Sequence, residues 1–405
     1  MKTDFSNYIS FSLIFVTMLL ISTGCNTRNT TSGGGFIVEM RQNVTTNNPI
    51  VFSEEITHIE YVPLEFTPDG ASMLAEAMDL AVTDDFVFVN SMKQGGVFQF
   101  SRADGKFIRK FAPTGNGPGE TQLILNIYAD EANKDIYIVQ SHNTLKYNFE
   151  GEYISTQEQT RPISLQYPIG EDRIAQLGAE LVPFNTPELI DMGVFTRDGE
   201  IVKIKDNFAR PDVVPQDNSC IKDVRRAFSD KCILYFIDLN DTIFRLSSDD
   251  IQPAFVLNRQ NSREYLEGSM TPRGETMLQN DFWVYDFFET PGALYVRALY
   301  NENEKMHLFA FDKATRTTTA EISKINPSDI FGLDWWMQGI GIQIGDGKIP
   351  LWATKTYPEK NILVQYMPAP ELFYLKEEGF IDQIPVEIGD IEEDGNPVVI
   401  IYHIN

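Results

Sequence analysis

Three glycines and two prolines fall in "KFAPTGNGPGE", residues 110–120, a composition from which phosphate-cradling loops are built. Such a loop turns backbone N–H groups toward an anion, and finding one would make the chain a nucleotide enzyme. The spacing argues against it. A dinucleotide fingerprint needs Gly-x-Gly-x-x-Gly opening a helix. Here Gly115 and Gly117 are followed by Gly119, one place early, and Glu120 stands where the third glycine belongs. The residues that follow, "LILNIYADE", read as strand, and the Gly-Lys-Ser/Thr of a Walker loop is missing. Gly115, Gly117, Pro118 and Gly119 are therefore expected to form a structural bend. Gly117→Val is expected to cost stability, on the view that the loop holds angles closed to a Cβ.

Other residues that could do chemistry are sparse. The four histidines, His58, His142, His307 and His403, do not pair at metal-ligand spacing, which speaks against a zinc site. No Gly-x-Ser-x-Gly elbow occurs. The acidic pairs Asp84–Asp85 and Asp249–Asp250, and the run at residues 391–395, sit in turn-like sequence without the alternation of a calcium loop. No catalytic residue and no cofactor is assigned. The most suggestive stretch is "NPSDIFGLDWWMQGIGIQ", residues 326–343, where Asp334, Trp335 and Trp336 stand side by side among glycines. Adjacent indoles beside a carboxylate suit stacking on sugars or apolar ligands, so these three are the candidate ligand contacts. The plainer alternative is a tryptophan plug in the core. A second long loop, residues 263–281, reads as a short helix on one face.

The formal net charge of −25, from 58 acidic against 33 basic residues, repels phosphate backbones and speaks against a nucleic-acid partner. At the N-terminus, Lys2, an apolar run from Ile9 to Ile21 and the small residues Ser22, Thr23 and Gly24 lead into Cys25. That order is a secretory signal, residues 1–24. Its Gly-Cys end resembles a bacterial lipobox, which implies a lipid on Cys25 as the mature first residue. The expected address is the cell envelope, at the outer membrane, with its face left open. Residues 25–54 then read as a flexible tether and lead-in. Cys220 and Cys232 permit a disulfide in an oxidising compartment, while a buried thiol at Cys232 is the simpler reading.

The elements that must position all this repeat. "VFQFSRADGKFIRKF", "TLKYNFEGEYISTQ" and "MGVFTRDGEIVKIK" share one plan: strand, acidic-Gly turn, strand. Their glycines, Gly105, Gly151 and Gly199, are 46 and 48 residues apart. Asp-Gly or Glu-Gly between alternating runs marks a tight hairpin, because glycine supplies the positive φ such turns need. A second hairpin pattern precedes each. Two hairpins per roughly fifty residues make a four-stranded propeller blade. Later blades are blurred, with turns at Asn240–Asp241, Pro291–Gly292 and Asp346–Gly347. "EITHIEYVPLEF" at the start and "NPVVIIYHIN" at the end are strands without hairpin partners, and pairing them would close the ring and leave no open edge.

"GNGPGE" after "DGKFIRKF", taken with these two terminal strands, resembles the bacterial six-bladed β-propeller lipoproteins, distant relatives of NHL-repeat propellers. The resemblance covers residues 56–405 and implies six blades and a lipid-anchored, secreted protein. The expected fold is thus an all-β, six-bladed propeller of four-stranded antiparallel blades over residues 55–405. The expected function is a binding or scaffolding module in the envelope. Its membrane contact would be the lipid on Cys25, and its partner a carbohydrate, a peptide or an envelope protein. The alternative is a hydrolase or lyase with a carboxylate/His site at the channel mouth, since fold alone does not decide function. The residues lining the channel would separate the two.

Overall fold

The acidic-Gly turns adopt the backbone their sequence demands. Gly105, Gly151 and Gly199 have φ of 69°, 79° and 87°, a region that costs an L side chain about 1–2 kcal/mol. In each turn the glycine N–H donates to the carbonyl of the residue that ends the preceding strand or turn, Ser101, Asn148 or Thr196. The outer hairpin so formed pairs with an inner one upstream, giving a four-stranded antiparallel sheet.

Six sheets form in this computed structural model. It describes residues 35–405 apart from 75–76, 92, 160–163, 171, 179–191, 206–223, 230–231, 238–239, 260–281, 301–304, 326–338 and 346. Blade 1 runs Ala77–Val82, Phe86–Ser91, Val97–Ser101 and Phe107–Phe111. Blade 2 runs Ile124–Asp130, Asp135–Gln140, Asn143–Asn148 and Tyr153–Glu158. Blade 3 runs Ser164–Pro168, Arg173–Gly178, Met192–Thr196 and Ile201–Lys205. Blade 4 runs Val224–Ser229, Cys232–Ile237, Thr242–Leu246 and Ile251–Asn258, and blade 5 runs Phe282–Glu289, Ala293–Tyr300, Lys305–Asp312 and Thr317–Ile322. Blade 6 takes Lys355–Tyr357, Ile362–Met367 and Val398–Ile404 from the end of the chain, and its outermost strand, Ile56–Pro63, from the start. Glu60 lies opposite Ile401 and Tyr61 opposite Ile400. The two orphan strands of the sequence are therefore the clasp, and the fold is the six-bladed propeller expected.

Three elements differ from the sequence reading. Phe36–Glu39, inside the stretch read as tether and lead-in, pairs in parallel with Ile251–Asn258 and adds a fifth strand to blade 4. The hairpin expected at Asp346–Gly347 shrinks to one antiparallel bridge, Ile342 to Leu351. There Gly341 lies against the Leu351 backbone, where a Cβ would come within 2.5 Å of its carbonyl oxygen. A helix, Ala369–Glu377, follows the second strand of blade 6 and buries Leu372 and Leu375.

The core is divided among the blade interfaces. Val87, Phe98 and Phe100 of blade 1 pack on Val364 and Ile401 of blade 6. Between blades 5 and 6, Trp352 is fully buried, edge-on to Phe288 and under the Arg297 guanidinium, 4.4 Å from its ring. The first strands of blades 1 and 2, 2 and 3, 4 and 5, and 5 and 6 touch one another, and that of blade 4 also reaches that of blade 6, so these innermost strands surround the axis. They carry a polar belt. Lys355 of blade 6 lies 2.8 Å from Asp79 of blade 1, both buried. Asp79 also accepts the Ile127 N–H of blade 2, and Asn126 of blade 2 binds the Gln166 backbone of blade 3 through both its amide atoms. Arg226 of blade 4 donates to the Tyr167 hydroxyl. Burial pulls the Lys355 ammonium below its ordinary pKa, with Asp79 opposing. Cys232 is buried in blade 4, 3.2 Å from an Arg245 nitrogen; Cys25 and Cys220 lie outside the described residues.

Candidate functional site

The link from blade 1 to blade 2 and the turn between the second and third strands of blade 2 leave the sheet at the same end. Between them lies a cavity of about 230 Å³. One wall is the glycine loop, with Gly115, Asn116, Gly117, Glu120, Gln122 and Leu123; the other is Gln140, Ser141, His142 and Asn143, and Leu145 and Thr156 also line it.

The loop is held by its own hydrogen bonds. Gly115 N–H donates to Thr121 carbonyl at 2.9 Å, and Thr121 N–H to Pro113 carbonyl at 2.8 Å. Glu120 turns its carboxylate back into the loop, where Oε2 accepts the Gly117 N–H at 2.7 Å. The first two glycines are there for this carboxylate. A Cβ on Gly115 would lie 2.0 Å from Glu120 Oε2, and one on Gly117 3.1 Å from the same group. Across the cavity, Gln140 Oε1 accepts the Gln122 N–H and its Nε2 donates to Asn143 Oδ1, each at 2.8 Å. The Asn116 side-chain oxygen accepts from Gln122 Nε2.

The expectation for Gly117 needs correcting. Of the three glycines only Gly119 has a positive φ, 78°, and its carbonyl accepts the Tyr147 hydroxyl. A Cβ there would sit 2.9 Å from that hydroxyl and 3.0 Å from the Tyr153 ring. The bend's strain is thus at Gly119, whereas Gly117 meets only the movable end of Glu120. Gly119→Val is expected to lose about 2–3 kcal/mol, and Gly117→Val clearly less, in paired thermal melts. Equal losses from the two would contradict this assignment.

A second cluster occupies the opposite end, in a groove lined by His58, Ile59, Glu60, Tyr61, Asp84, Asp85, Arg102 and Glu387, among others. Arg102 grips Glu60 through Nε to Oε2 at 3.0 Å and Nη2 to Oε1 at 2.9 Å. His403 bonds the same carboxylate, and His58 lies against His403 with ring centroids 5.6 Å apart. Burial works against ionising Glu60, but Arg102 and then His403 outweigh it and hold the carboxyl below its usual range. Glu60 and His403 lie on the outer two strands of blade 6, away from the axis.

The histidines thus divide. His142 faces the cavity, His58 and His403 pair on the clasp, and His307 is fully buried, its pKa lowered to about 4 by burial and then by Lys305. Among the described residues, no three His, Cys, Asp or Glu side chains are placed to hold a metal ion. Asp334, Trp335 and Trp336 lie outside the described residues. The chain that follows them is anchored at Gly339, whose N–H donates to the buried Glu371 carboxylate at 2.6 Å. Sequence reasoning singled out half of the cavity as a bend and missed the other half. The "QSHN" of residues 140–143, four polar residues in a short turn, was the available signal.

A family model described as a domain of unknown function, DUF4934, matches residues 35–403. Among solved structures, a candidate exported protein of Bacteroides fragilis is similar at 13% identity and a TM-score of 0.63, covering 91% of this chain and 99% of its own. A DUF4221 family member of Bacteroides vulgatus matches at 10% identity and a TM-score of 0.43, with 87% of this chain and 98% of its own covered. No curated protein matches the chain.

Proposed function

The chain belongs to the DUF4934 family, and we propose that it is a binding module of the cell envelope, tethered by lipid on Cys25, that takes its ligand in the cavity beside the glycine loop. The observation that carries this reading is the internal bracing of that cavity. Glu120, Gln140, Asn143 and Asn116, which line the cavity, are each fixed by a partner in the protein, so they do not have to be ordered on binding. Sites built this way select a ligand by position of hydrogen bonds.

The enzyme alternative has one feature in its favour, the His403–Glu60 contact. Against it stands Arg102. A carboxylate gripped bidentately and held below its usual pKa is a weak general base. The contact also lies on the outer strands rather than at the channel mouth. The binding reading is the better supported.

The envelope address rests on the signal-like residues 1–24 that lead into Cys25 and on likeness to the fragilis protein, itself described as a candidate exported protein. Cys25→Ala is expected to move the protein out of the membrane fraction in cell fractionation. Retention equal to wild type would remove the anchor from this proposal.

A further inference from the structure

We infer that the ligand of the glycine-loop cavity is a neutral saccharide, recognised as a single ring through adjacent hydroxyl groups; this rests on the cavity being the ligand site. Each sugar hydroxyl both donates and accepts, so a matching site must offer both kinds of group close together. The cavity does. Glu120 spends Oε2 on the Gly117 N–H, leaving Oε1 as an acceptor without a protein partner among the described residues. Asn143 spends its oxygen on Gln140 Nε2, leaving its NH₂ as a donor. His142, exposed on the same turn, adds a ring nitrogen of either role.

The apolar groups fit the same class. Leu123, 48% exposed, lines the cavity, and the hydroxyl of Tyr153, a ring 39% exposed, reaches to 2.7 Å from the lining Thr156. Such surfaces cover the C–H faces of a sugar ring. Size and charge narrow the choice further. About 230 Å³ is small beside ordinary ligand pockets of roughly 300–1,000 Å³, which suits one ring rather than a chain. One carboxylate among amides gives no cluster to draw a polycation and no cation to hold an anion.

The test uses the full chain purified in detergent and calorimetric titration with the methyl glycosides of glucose, galactose and mannose, and with putrescine as a cationic probe. At least one glycoside is expected to saturate at millimolar concentration or below. Glu120→Gln, which keeps an acceptor for the Gly117 N–H, is expected to weaken it about tenfold or more, as loss of a hydrogen bond to a charged group does. His142→Ala should weaken it too, with both variants melting near wild type. A glycoside bound equally by wild type and both variants would place the site elsewhere and overturn the cavity reading itself. Putrescine bound, and lost in Glu120→Gln, while all three glycosides fail, would keep the cavity and overturn the saccharide. Failure of every probe up to about 10 mM, a binding free energy weaker than roughly 3 kcal/mol, would overturn the saccharide as well.

Discussion

Gly105→Ala is expected to destabilise the protein by about 3 kcal/mol or more, and Gly151→Ala, at the matching turn of the next blade, by about 1–2 kcal/mol. In sequence the two are the same residue of the same repeat, and both have positive φ. Their surroundings separate them. A Cβ on Gly105 would lie 1.9 Å from the Pro63 carbonyl oxygen, whereas one on Gly151 would meet only the Arg109 and Phe111 side chains, at 3.1 Å and beyond. Pro63 ends the clasp strand, and the Gly105 carbonyl accepts the Glu65 N–H just past it at 2.9 Å. Relieving the clash means moving backbone that closes the ring, so strain at the turn adds to loss of the clasp contact. Chemical denaturation of both variants measures the difference. Equal losses would mean that the clasp tolerates displacement at Pro63.

Lys355→Ala is expected to cost about 3–5 kcal/mol, the loss typical of removing one partner from a buried ion pair. It would leave the Asp79 carboxylate of the innermost strand without that cation, still accepting the Leu80 and Ile127 N–H groups. Pairing the change with Asp79→Asn should recover much of the loss, because the charge that has become costly is then gone. If Lys355→Ala melts within about 0.5 kcal/mol of wild type, as an ordinary surface change does, the pair plays no part in holding the blades together. A loss undiminished in the double variant would assign the cost to packing rather than to charge.

The parts of the fold that were legible in the sequence were those fixed by local chemistry. Acidic-Gly turns need positive φ wherever they occur, so three hairpins could be read from residues a few positions apart. Unpaired apolar strands at both ends implied each other. What escaped reading depends on distant neighbours. Ile362–Met367 is buried at every position and so shows no alternation. Phe36–Glu39 is only four residues long and becomes a strand because the edge of blade 4 is there to receive it. The helix Ala369–Glu377 buries a glutamate, Glu371, along with its leucines, which blurs the stripe a periodic reading looks for. The cavity escaped for a similar reason. Glu120 and His142 are 22 positions apart, on separate turns, and only the folded inner hairpin of blade 2 brings their loops to one end.

The clasp also fixes when the molecule can become whole. Thr57 and His403, 346 positions apart, are joined across it, so the ring's last contacts form only once nearly the entire chain is available. Before then, Ile56–Pro63 lacks the strand Val398–Ile404 that it pairs with, and could pair with the same strand of a neighbouring copy. Crowded chains whose rings are still open would thus exchange their first strands, each ring closed by another molecule's beginning. Dilution, or a chaperone that keeps nascent chains apart, decides which kind of closure prevails.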